Sequence, residues 1–445
     1  MGSGTPTKKP LVIPRSEHTI SRANISPNAL KVLYRLRSAG YRACLVGGGV
    51  RDLLLGREPK DFDIGTDAHP EQVRTLFRNC RLIGRRFRLA HIQFGREIIE
   101  VATFRAQHDD DQGAAESQRR LDDQGRILSD NLYGAIEEDA WRRDFTINAL
   151  YYDIDNFSVL DYAGGLSDLQ QGTVRLIGEP EQRYREDPVR MLRAVRFAAR
   201  LGFRPHPATE APLRKLCHLL GDIPPARLFD EVLKLFLGGY AVQTFELMRH
   251  YHLFGYLFPA TERCLSRQKQ HFPKTLLIHA LANTDTRIAE DKPVTPAFLF
   301  AALLWEPLQE DAKYLQAQGL KEGEALQEAA ERVVNAQLKH TALPRRFSLP
   351  MREIWFLQPR FAVRSGSRPG RFLLHPRFRA AYDFLLLRAA CDDDLVELAS
   401  WWTDFIALDE TGRKTAVRTP GKPAPRNRSR RRRVARTKTP LSQTD

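Results

Sequence analysis

Two aspartates, Asp61 and Asp63, stand two positions apart in the segment Lys60–Thr66. Side chains at that spacing on a β-strand lie on one face. Two carboxylates on one face can hold a pair of divalent cations that bridge a phosphate, as two-metal phosphoryl transfer requires. An isolated Asp-x-Asp pair is more often an ordinary surface feature, so the prediction of a catalytic site depends on what surrounds the pair.

A glycine-rich turn lies just upstream of the two aspartates. The pattern predicts a short buried strand at Ala43–Val46, a turn at Gly47–Gly49 and a helix at Val50–Leu55. Glycines let a ligand approach the main chain, and the free N–H groups at a helix start favour an anion. Arg51 adds a guanidinium that can bind phosphate through two hydrogen bonds. The segment therefore predicts a phosphate-binding turn beside the aspartates.

A second group of charged side chains begins just ahead of a helix in which Pro188 suits the first turn. Its members recur three residues apart and so drift slowly around one side of that helix. They are Asp187, Arg190, Arg193 and Arg196. A series of guanidiniums headed by an acid can bind a base edge at one end and phosphates at the other. The alternative is a helix that balances its dipole with ion pairs.

Two more stretches carry side chains that suit chemistry. Glu100 lies in a predicted strand, Arg96–Arg105, and is either a third carboxylate beside the aspartates or an exposed strand acid. Period-two spacing alone leaves both interpretations open. Residues Glu137–Leu150 mix charges and amides with Trp141 and Phe145, which favours a functional surface. A salt-bridged amphipathic helix is the alternative there.

The predicted elements form an α+β N-terminal part with a mixed sheet, followed by an all-helical remainder. A polar, Gly/Gln-rich insertion at about 107–131 is expected to be mobile, and only helical periodicity persists from Pro207 to Asp409. A chain of 445 residues is long enough for two to three domains. We predict a mobile lead-in (1–22), an α+β head (23–165), a helical neck (166–240), a helical body (241–410) and a disordered basic tail (411–445).

Charge is concentrated at the C-terminal end. The net charge is +15, and residues 411–445 hold twelve Lys/Arg and one acid, which leaves about +4 for the rest. Such a tail indicates nucleic acid or another anionic surface as a partner, with an inert solvated end as the alternative. The five cysteines form no Cys-x-x-Cys pair, which favours a reducing, cytoplasmic location without a structural metal. The apolar runs are too short to cross a bilayer, and residues 1–20 lack the apolar core of a secretory signal.

Taken together, the chain resembles the class II nucleotidyltransferase superfamily, which includes the tRNA CCA-adding enzymes and the bacterial poly(A) polymerases. The resemblance extends over about 45–239 and is densest in a few motifs. These are Leu45–Gly56 with Asp61–Thr66, Glu100–Arg105, Arg142–Leu150, which reads Arg-Arg-Asp-Phe-Thr-x-Asn-Ala, and Glu186–Gly202. The resemblance implies a nucleotidyltransferase head, with the neck selecting the nucleotide.

Roles for individual residues follow from this resemblance alone. It implies that Asp61 and Asp63 bind two Mg²⁺ ions, that Asp144 is a further catalytic carboxylate, and that the remaining site residues bind the nucleotide. Those residues are Gly48 and Arg51 at the triphosphate, Arg143 at a phosphate, Asn148 near the sugar, Asp187 and Arg190 at the base, and Arg193 and Arg196 near the triphosphate. Because an acid and a guanidinium can pair with adenine or with cytosine, this motif does not choose between ATP and CTP.

Other stretches favour the poly(A) polymerases within this superfamily. Gly84–His91, Glu137–Ala140 and the basic tail are similar to those enzymes. The helical half also lacks the adjacent His-Asp pair that marks a phosphohydrolase domain. The resemblance implies template-independent addition of AMP from ATP to RNA 3′ ends. A CCA-adding enzyme and a noncatalytic RNA-binding protein are the alternatives. Partners among RNA-degradation proteins and a peripheral membrane association are left open.

Overall fold

A computed structural model of the chain describes residues 9–84, 88–106, 119–121, 127–130, 132–267 and 276–417. The chain divides into two compact units, residues 1–349 and 350–445. This division falls inside the predicted body, and the predicted boundaries between head, neck and body stay predictions. None of the helices in the described ranges has both the length and the apolar character needed to traverse a bilayer.

Twelve strands are present in the described part of the first unit. They are β1 (Leu11–Ile13), β2 (Ala43–Val46), β3 (Asp63–Thr66), β4 (Cys80–Ile83), β5 (Leu89–Phe94), β6 (Glu97–Thr103), β7 (Arg119–Leu121), β8 (Ile127–Asp130), β9 (Leu150–Asp153), β10 (Val159–Asp161), β11 (Thr173–Val174) and β12 (Arg204–Pro205). Eight of them form one sheet in the order β1-β10-β9-β2-β3-β6-β5-β4. Within it β3 and β6 are parallel and the other neighbours are antiparallel, so the predicted mixed sheet is confirmed.

The middle of this sheet positions the chemistry-bearing residues. All four residues of β2 are buried, which fits the short apolar strand that its sequence predicts. Strand β2 lies between β3 and β9, with Val46 opposite Asp63 on one side and opposite Tyr151 on the other. The parallel pairing of β3 with β6 places Asp63 opposite Glu100. The segments after β2, at the start of β3 and before β9 therefore meet where these central strands end, on one side of the sheet.

Helices make up most of the rest. In and after the sheet region they are α1 (Pro27–Ser38), α2 (Gly48–Leu54), α3 (Pro70–Leu76), α4 (Ile136–Arg142), α5 (Gly165–Gln170), α6 (Pro180–Glu186), α7 (Val189–Leu201), α8 (Pro207–Leu216), α9 (Pro225–Phe236), α10 (Ala241–His250) and α11 (Phe254–Leu257). They continue with α12 (Pro259–Arg267), α13 (Leu276–Ala289), α14 (Pro296–Leu303), α15 (Trp305–Ala317), α16 (Glu322–Gln337) and α17 (Arg345–Leu357). The predicted remainder is confirmed as mostly helical, but the neck is not all-helical, because β11 and β12 form a short parallel pair within it.

Helix α7 forms where the sequence predicts it. Pro188 precedes it, and Gly202 ends it with a φ of 72°, a left-handed conformation that glycine adopts without strain. Leu192, Val195 and Ala199 are buried along one side, as the spacing predicts. The arginines that recur between these residues are thereby directed to a different side of the helix, which faces the head.

The second unit contains α18 (Arg368–Leu373), α19 (Phe378–Ala389), α20 (Val396–Ala407) and α21 (Glu410–Ala416). Its core is rich in aromatic rings, among them Phe361, Phe372, Phe378 and Trp402, which pack edge-to-face or tilted. The Trp402 indole N–H donates to the carbonyl oxygen of Phe361 at 2.9 Å, which satisfies the one polar group of that buried ring.

Two boundary predictions are wrong in part. The lead-in is not wholly outside the fold, because β1 pairs with β10 and buries Ile13. The basic tail does not begin at 411, because α21 continues to Ala416. Asp409 caps that helix by accepting from the N–H of Gly412, and Arg413 donates to the carbonyl oxygen of Ile406 at 2.7 Å. The rest of the predicted tail, 418–445, lies outside the described residues.

The insertion predicted at 107–131 is described only over two short strands, β7 and β8, which pair with each other and with no other strand. This agrees with a segment that adds to the head without joining its main sheet. Its mobility stays a prediction, and the remainder of the insertion lies outside the described residues.

Candidate active site

The glycine turn brings the main chain against an arginine. Gly47 has a φ of 69°, and its N–H donates to the carbonyl oxygen of Leu150 at 3.2 Å. The positive φ favours glycine, and a Cβ at Gly47 would lie 3.2 Å from Nη1 of Arg143, so a larger residue would press on this guanidinium. Helix α2 begins at Gly48, two residues earlier than predicted, and a Cβ at Gly49 would lie 3.4 Å from the carbonyl oxygen of Asp61.

Asp61 and Asp63 lie beside this turn. Strand β3 begins at Asp63, so the prediction that both aspartates lie on one strand is wrong for Asp61, which precedes the strand and is exposed. Asp63 is half-buried and stands opposite Glu100. Glu100 in turn lies 3.2 Å from Nε2 of His91 on β5. The register thus places Glu100 beside Asp63, as one of the two interpretations expected. Whether Glu100 binds a metal ion stays open.

The electrostatics of these acids favour a cation. Burial, and then the negative charge of Glu100, raise the pKa of Asp63 to about 6, although Arg143 opposes the shift. Within the described residues, no hydrogen bond or ion pair reaches the carboxylates of Asp61 or Asp63. Neighbouring carboxylates are the oxygen ligands that hard divalent ions prefer. The donor set therefore fits Mg²⁺, although no three His, Cys, Asp or Glu side chains of the described ranges form a complete ligand group.

Asp144 has the opposite surroundings. One of its oxygens accepts from Nε of Arg193 at 2.6 Å, and the other accepts from the N–H of Phe145 at 2.8 Å and from the amide of Asn148 at 3.2 Å. Burial alone would raise the pKa of Asp144, but the Arg193 charge and these hydrogen bonds lower it to about 2. The carboxylate is therefore ionised and bonded on both oxygens, and its predicted catalytic role stays a prediction.

The structure places Arg51 inside the protein. Its side chain is 2% exposed, and its nitrogens donate to Asp52 and, at 2.6 Å, to the side-chain oxygen of Asn148. Burial lowers the pKa of Arg51, while the adjacent Asp52 carboxylate opposes the shift. In this conformation Arg51 holds Asn148, which in turn donates to Asp144. Contact between Arg51 and a triphosphate stays a prediction, and it would require the guanidinium to reorient.

Three guanidiniums surround one ring. The Cζ atoms of Arg51, Arg193 and Arg196 lie 5.2, 5.3 and 4.8 Å from the ring centroid of Phe197. Arg51 and Arg193 have carboxylate partners, but Nε of Arg196 is buried and has no hydrogen-bond partner among the described residues. Burial, and then the neighbouring Arg193 charge, lower the pKa of Arg196 to about 10. An anion placed here would neutralise a desolvated positive charge.

Arg143 is held from three sides. It donates to the Tyr151 hydroxyl at 2.8 Å, to Asp139 at 3.0 Å and to the carbonyl oxygen of Asn148 at 3.3 Å. Tyr151 also donates to Asp139, at 2.7 Å. Burial acts against the charged form, yet contact with Tyr151 and Asp139 raises the pKa of Arg143. Its position against Gly47 is therefore fixed, which suits the predicted phosphate contact.

The predicted base-binding pair is not joined. Asp187 accepts from Nη2 of Arg227 on α9 at 2.7 Å, whereas Arg190 donates to Glu186 at 2.9 Å and to the carbonyl oxygen of Arg183 at 2.7 Å. Both side chains are thus positioned by other residues at the N-terminal end of α7. Their role in reading the base stays a prediction.

The predicted site residues therefore fall into two groups. The glycine turn, the aspartates and the residues around Asp144 gather between the sheet edge and α7, while Asp187 and Arg190 lie at the start of that helix. Sequence reasoning missed several residues that hold the others in place, namely Asp52, Asp139, Tyr151, Arg200 and Arg227. An acid next to Arg51 was a visible signal for Asp52, and the i,i+4 spacing from Arg143 was one for Asp139, whereas nothing local marked the other three.

Comparison with protein families identifies three matches along the chain. Residues 43–175 match the poly A polymerase head domain. Residues 202–265 match the probable RNA and SrmB-binding site of polymerase A, and residues 318–437 match the polymerase A arginine-rich C-terminus. Together with the mixed sheet and its paired aspartates, the head match defines a nucleotidyltransferase.

Individual relatives narrow this class. Poly(A) polymerase I of Escherichia coli is 53% identical over 424 residues, which cover 94% of this chain and 91% of that protein. Poly(A) polymerase I of Haemophilus influenzae is 48% identical, with 88% and 87% coverage. This chain belongs to the bacterial poly(A) polymerase family, and the predicted resemblance is confirmed.

Similarity to CCA-adding enzymes is weaker. The CCA-adding enzyme of Bacillus pumilus is 33% identical over 330 residues, 71% of this chain and 77% of that protein. The crystal structure of the Bacillus stearothermophilus CCA-adding enzyme in complex with CTP matches with a TM-score of 0.57 at 25% identity, covering 90% of each chain. The shared fold spans both kinds of enzyme, as the superfamily resemblance implies.

Proposed function

We propose that this protein adds AMP from ATP to RNA 3′ ends without a template and releases pyrophosphate. The observation that carries the proposal is the 53% identity to poly(A) polymerase I over nearly the whole of both chains. The site is compatible with this activity, because it sets unpaired carboxylates beside a group of guanidiniums. In the reaction the RNA 3′ oxygen bonds to the α-phosphorus of ATP as the bond to the β-phosphate oxygen breaks.

In this proposal Asp61 and Asp63 hold two Mg²⁺ ions. When bound, such ions lower the pKa of the RNA 3′-hydroxyl and neutralise charge on the leaving pyrophosphate. The protein's own contribution is to leave the two carboxylates without a hydrogen-bond donor among the described residues and to hold Asp63 partly desolvated beside Glu100. Glu100 is a candidate third ligand, and its contact with His91 limits its freedom to rotate.

The arginines of α7 and Arg143 would bind the triphosphate. Nε of Arg196 is buried and has no hydrogen-bond partner among the described residues, and Arg143 is fixed against the turn where Gly48 begins α2. Arg193 is divided between this role and its bond to Asp144. Asp144 and Asn148 would act from the centre of the site, where Asp144 orients Arg193 and Asn148 approaches the sugar.

Base selection is assigned to Asp187 and Arg190. Asp187 would accept from the adenine 6-amino group, and Arg190 would donate to N1. Because Arg227 and Glu186 hold these side chains in the structure, the pair would read the base from a defined geometry. The same hydrogen-bonding groups can serve cytosine, so this assignment needs a direct test against CTP.

Primer extension with each nucleotide alone provides that test. With ATP and Mg²⁺ we expect long tails on an unstructured RNA primer, and with CTP we expect little addition. The weaker similarity to CCA-adding enzymes makes such an enzyme the second candidate. CTP-dependent addition that stops after a few nucleotides would support it and overturn our proposal.

We further propose a cytoplasmic site of action and partners among RNA-degradation proteins, and the match of residues 202–265 to a probable RNA and SrmB-binding site supports a protein partner. RNA would be held largely through its phosphates, so affinity should fall steeply with salt. The basic tail beyond residue 417, which lies outside the described residues, is proposed as part of this contact because of its charge.

A further inference from the structure

Asp52 follows Arg51 in the glycine-turn motif and has no role in the proposed reaction. Its side chain is almost completely buried, at 4% exposure. One carboxylate oxygen accepts from Nε and Nη2 of Arg51 at 2.9 and 2.7 Å. The other accepts from Nη2 of Arg200 at 2.9 Å. A single buried carboxylate thus joins α2 of the head to α7.

The bond to Arg200 is the second of two ion pairs between the head and the same side of α7. The first joins Asp144 to Arg193, two helical turns away and roughly 10 Å along the axis. The two ion pairs are connected through the head, because Arg51 bonds both Asp52 and Asn148, and Asn148 bonds Asp144. These contacts therefore connect Arg193 to Arg200 through residues of the head.

Arg196 lies between these two points on α7. Its buried Nε has no hydrogen-bond partner among the described residues, so no direct bond to the head fixes this side chain. Its position relative to the glycine turn therefore depends on how α7 is held. Other contacts also join this part of α7 to the head, since Arg57 donates to the carbonyl oxygen of Arg200 at 3.3 Å and Phe145 packs edge-to-face on Phe197. Among the described residues, Asp52–Arg200 is nevertheless the ion pair that holds the C-terminal end of α7 to the head, so its loss would let that end shift relative to the glycine turn.

Stability alone is a weak reason for this arrangement. A buried carboxylate loses hydration, and the attraction of its partners repays that cost only when geometry is favourable. Arg200 is one-third exposed, so solvent also weakens its attraction to Asp52. The geometry does, however, fix the distance between α2 and the end of α7, because the Asp52 carboxylate is bonded on both oxygens and has little freedom to move.

We propose that Asp52 and Arg200 are positioning residues for ATP: their ion pair fixes Arg196 of α7 at the distance from the glycine turn that the triphosphate requires. The inference rests on the proposed function. It assigns the pair an effect on ATP affinity and not on the chemical step, which the carboxylates of Asp61 and Asp63 serve.

Arg200→Gln is the main test, because it removes the bond to α7 and leaves Arg51 paired with Asp52. In steady-state tailing with saturating RNA and Mg²⁺, we expect KM for ATP to rise about tenfold while kcat changes less than about twofold. The KM for RNA should not change. A purely structural role would lower the active fraction, and so kcat, without changing KM for ATP.

Two variants complete the design. Arg200→Lys keeps a positive charge that can reach Asp52, and its KM for ATP should return to within about threefold of the unchanged protein. Asp153→Asn is the matched control. Asp153 is 6% exposed, is paired with Arg42, and lies at the end of β9 that is away from the glycine turn. This control removes a buried aspartate charge outside the network, and its KM for ATP should be unchanged.

Coupling between the two residues gives a further measurement. Asp52→Asn with Arg200→Gln should raise KM for ATP no more than Asp52→Asn alone, because both changes remove one contact. An unchanged KM in Arg200→Gln, a loss confined to kcat, failure of that variant to fold, or the same KM rise in Asp153→Asn would overturn the inference. Absence of tailing by the unchanged protein would instead overturn the proposed function.

Discussion

Asp63 and Asp144 are aspartates of one candidate site, yet the protein surrounds them differently. Asp63 stands opposite Glu100, has no described donor, and has its pKa raised to about 6 by burial and by that neighbouring charge. Asp144 accepts from Arg193, Phe145 and Asn148, and these partners lower its pKa to about 2 despite burial. Asp63 therefore has no described hydrogen-bond donor, whereas Asp144 has three.

The difference separates two uses of the same side chain. A carboxylate that the protein already neutralises can hold other groups in place but has few lone pairs left for a ligand. A partly buried carboxylate without a partner destabilises the fold unless a cation is bound. We therefore interpret the Asp61/Asp63 side as the place for metal ions and the Asp144 side as the support for nucleotide-binding arginines.

The largest effect is expected when the unpaired carboxylates are removed. In Asp61→Ala/Asp63→Ala, AMP addition should fall by at least about 10³-fold, because metal-ion charge stabilisation supplies several kcal/mol of the lowered barrier. Since no described donor binds these carboxylates and Asp63 is partly desolvated, Tm should be retained or rise, and RNA affinity should be retained. Primer extension, thermal unfolding and filter binding measure the three quantities.

Asp67→Asn is the control for that double variant, since Asp67 is an exposed acid directly after β3. Tail synthesis should persist in it at close to the normal rate. Undiminished tailing by Asp61→Ala/Asp63→Ala would instead favour the view that these carboxylates do not act in catalysis.

Asp144→Asn should impair both activity and stability. We expect about 10²-fold slower AMP addition, because Arg193 loses the charge that orients it. Breaking this largely buried pair should cost about 2–3 kcal/mol and lower Tm by about 3 °C for a unit of this size. Calorimetry with the tailing assay checks both, and an unchanged Tm would contradict the supporting role given to Asp144.

Gly47→Ala tests whether the turn itself must stay close to Arg143. The added Cβ would lie 3.2 Å from an Arg143 nitrogen that Asp139, Tyr151 and the chain at Asn148 hold in place. We expect tailing to slow by about tenfold, together with a backbone cost of about 2 kcal/mol, because a φ of 69° with a ψ of −132° lies outside the regions that alanine adopts.

Gly40→Ala is the matched control for that backbone cost. Gly40 has a φ of 86°, and nothing lies within 4 Å of a Cβ placed there. Its Tm should fall by less than in Gly47→Ala, because Gly40 ends helix α1, and tailing should stay normal. Equal activities of the two variants would show that displacement of Arg143 has no consequence.

The smallest effect concerns pH. Because the folded pKa of Asp144 lies below the ordinary value near 4, its charge stabilises the fold fully above pH 4, and this stabilisation is lost as pH falls through about 2. The Tm difference between the unchanged protein and Asp144→Asn should therefore shrink by roughly half between pH 6 and pH 3. A difference that grows on acidification would contradict the assigned pairing.

The sequence was sufficient to predict the elements that are specified by neighbouring residues along the chain. Apolar runs, glycines and helical spacing predicted β2, the glycine turn and α7 at or near their observed bounds. The register that sets Asp63 beside Glu100 was left open, because β3 and β6 pair across an intervening helix and two strands. No local pattern specifies that pairing.

The same limit explains the site residues that were missed or misplaced. Arg51 carries the local signal of a phosphate ligand, but its partner Asn148 is 97 positions away. Asp52 and Arg200 are 148 positions apart. Whether a guanidinium faces solvent or the interior depends on such distant partners, so residue type and spacing predict the chemistry of the site better than the direction in which each side chain points.

Strand β1 has a consequence for how the protein is shortened. It lies at one edge of the eight-stranded sheet and covers the outer N–H and C=O groups of β10. A chain that began at residue 23, as the predicted head does, would leave that edge bare. Bare edges recruit strands from other molecules, so such a chain is expected to self-associate and precipitate although every predicted catalytic residue is present.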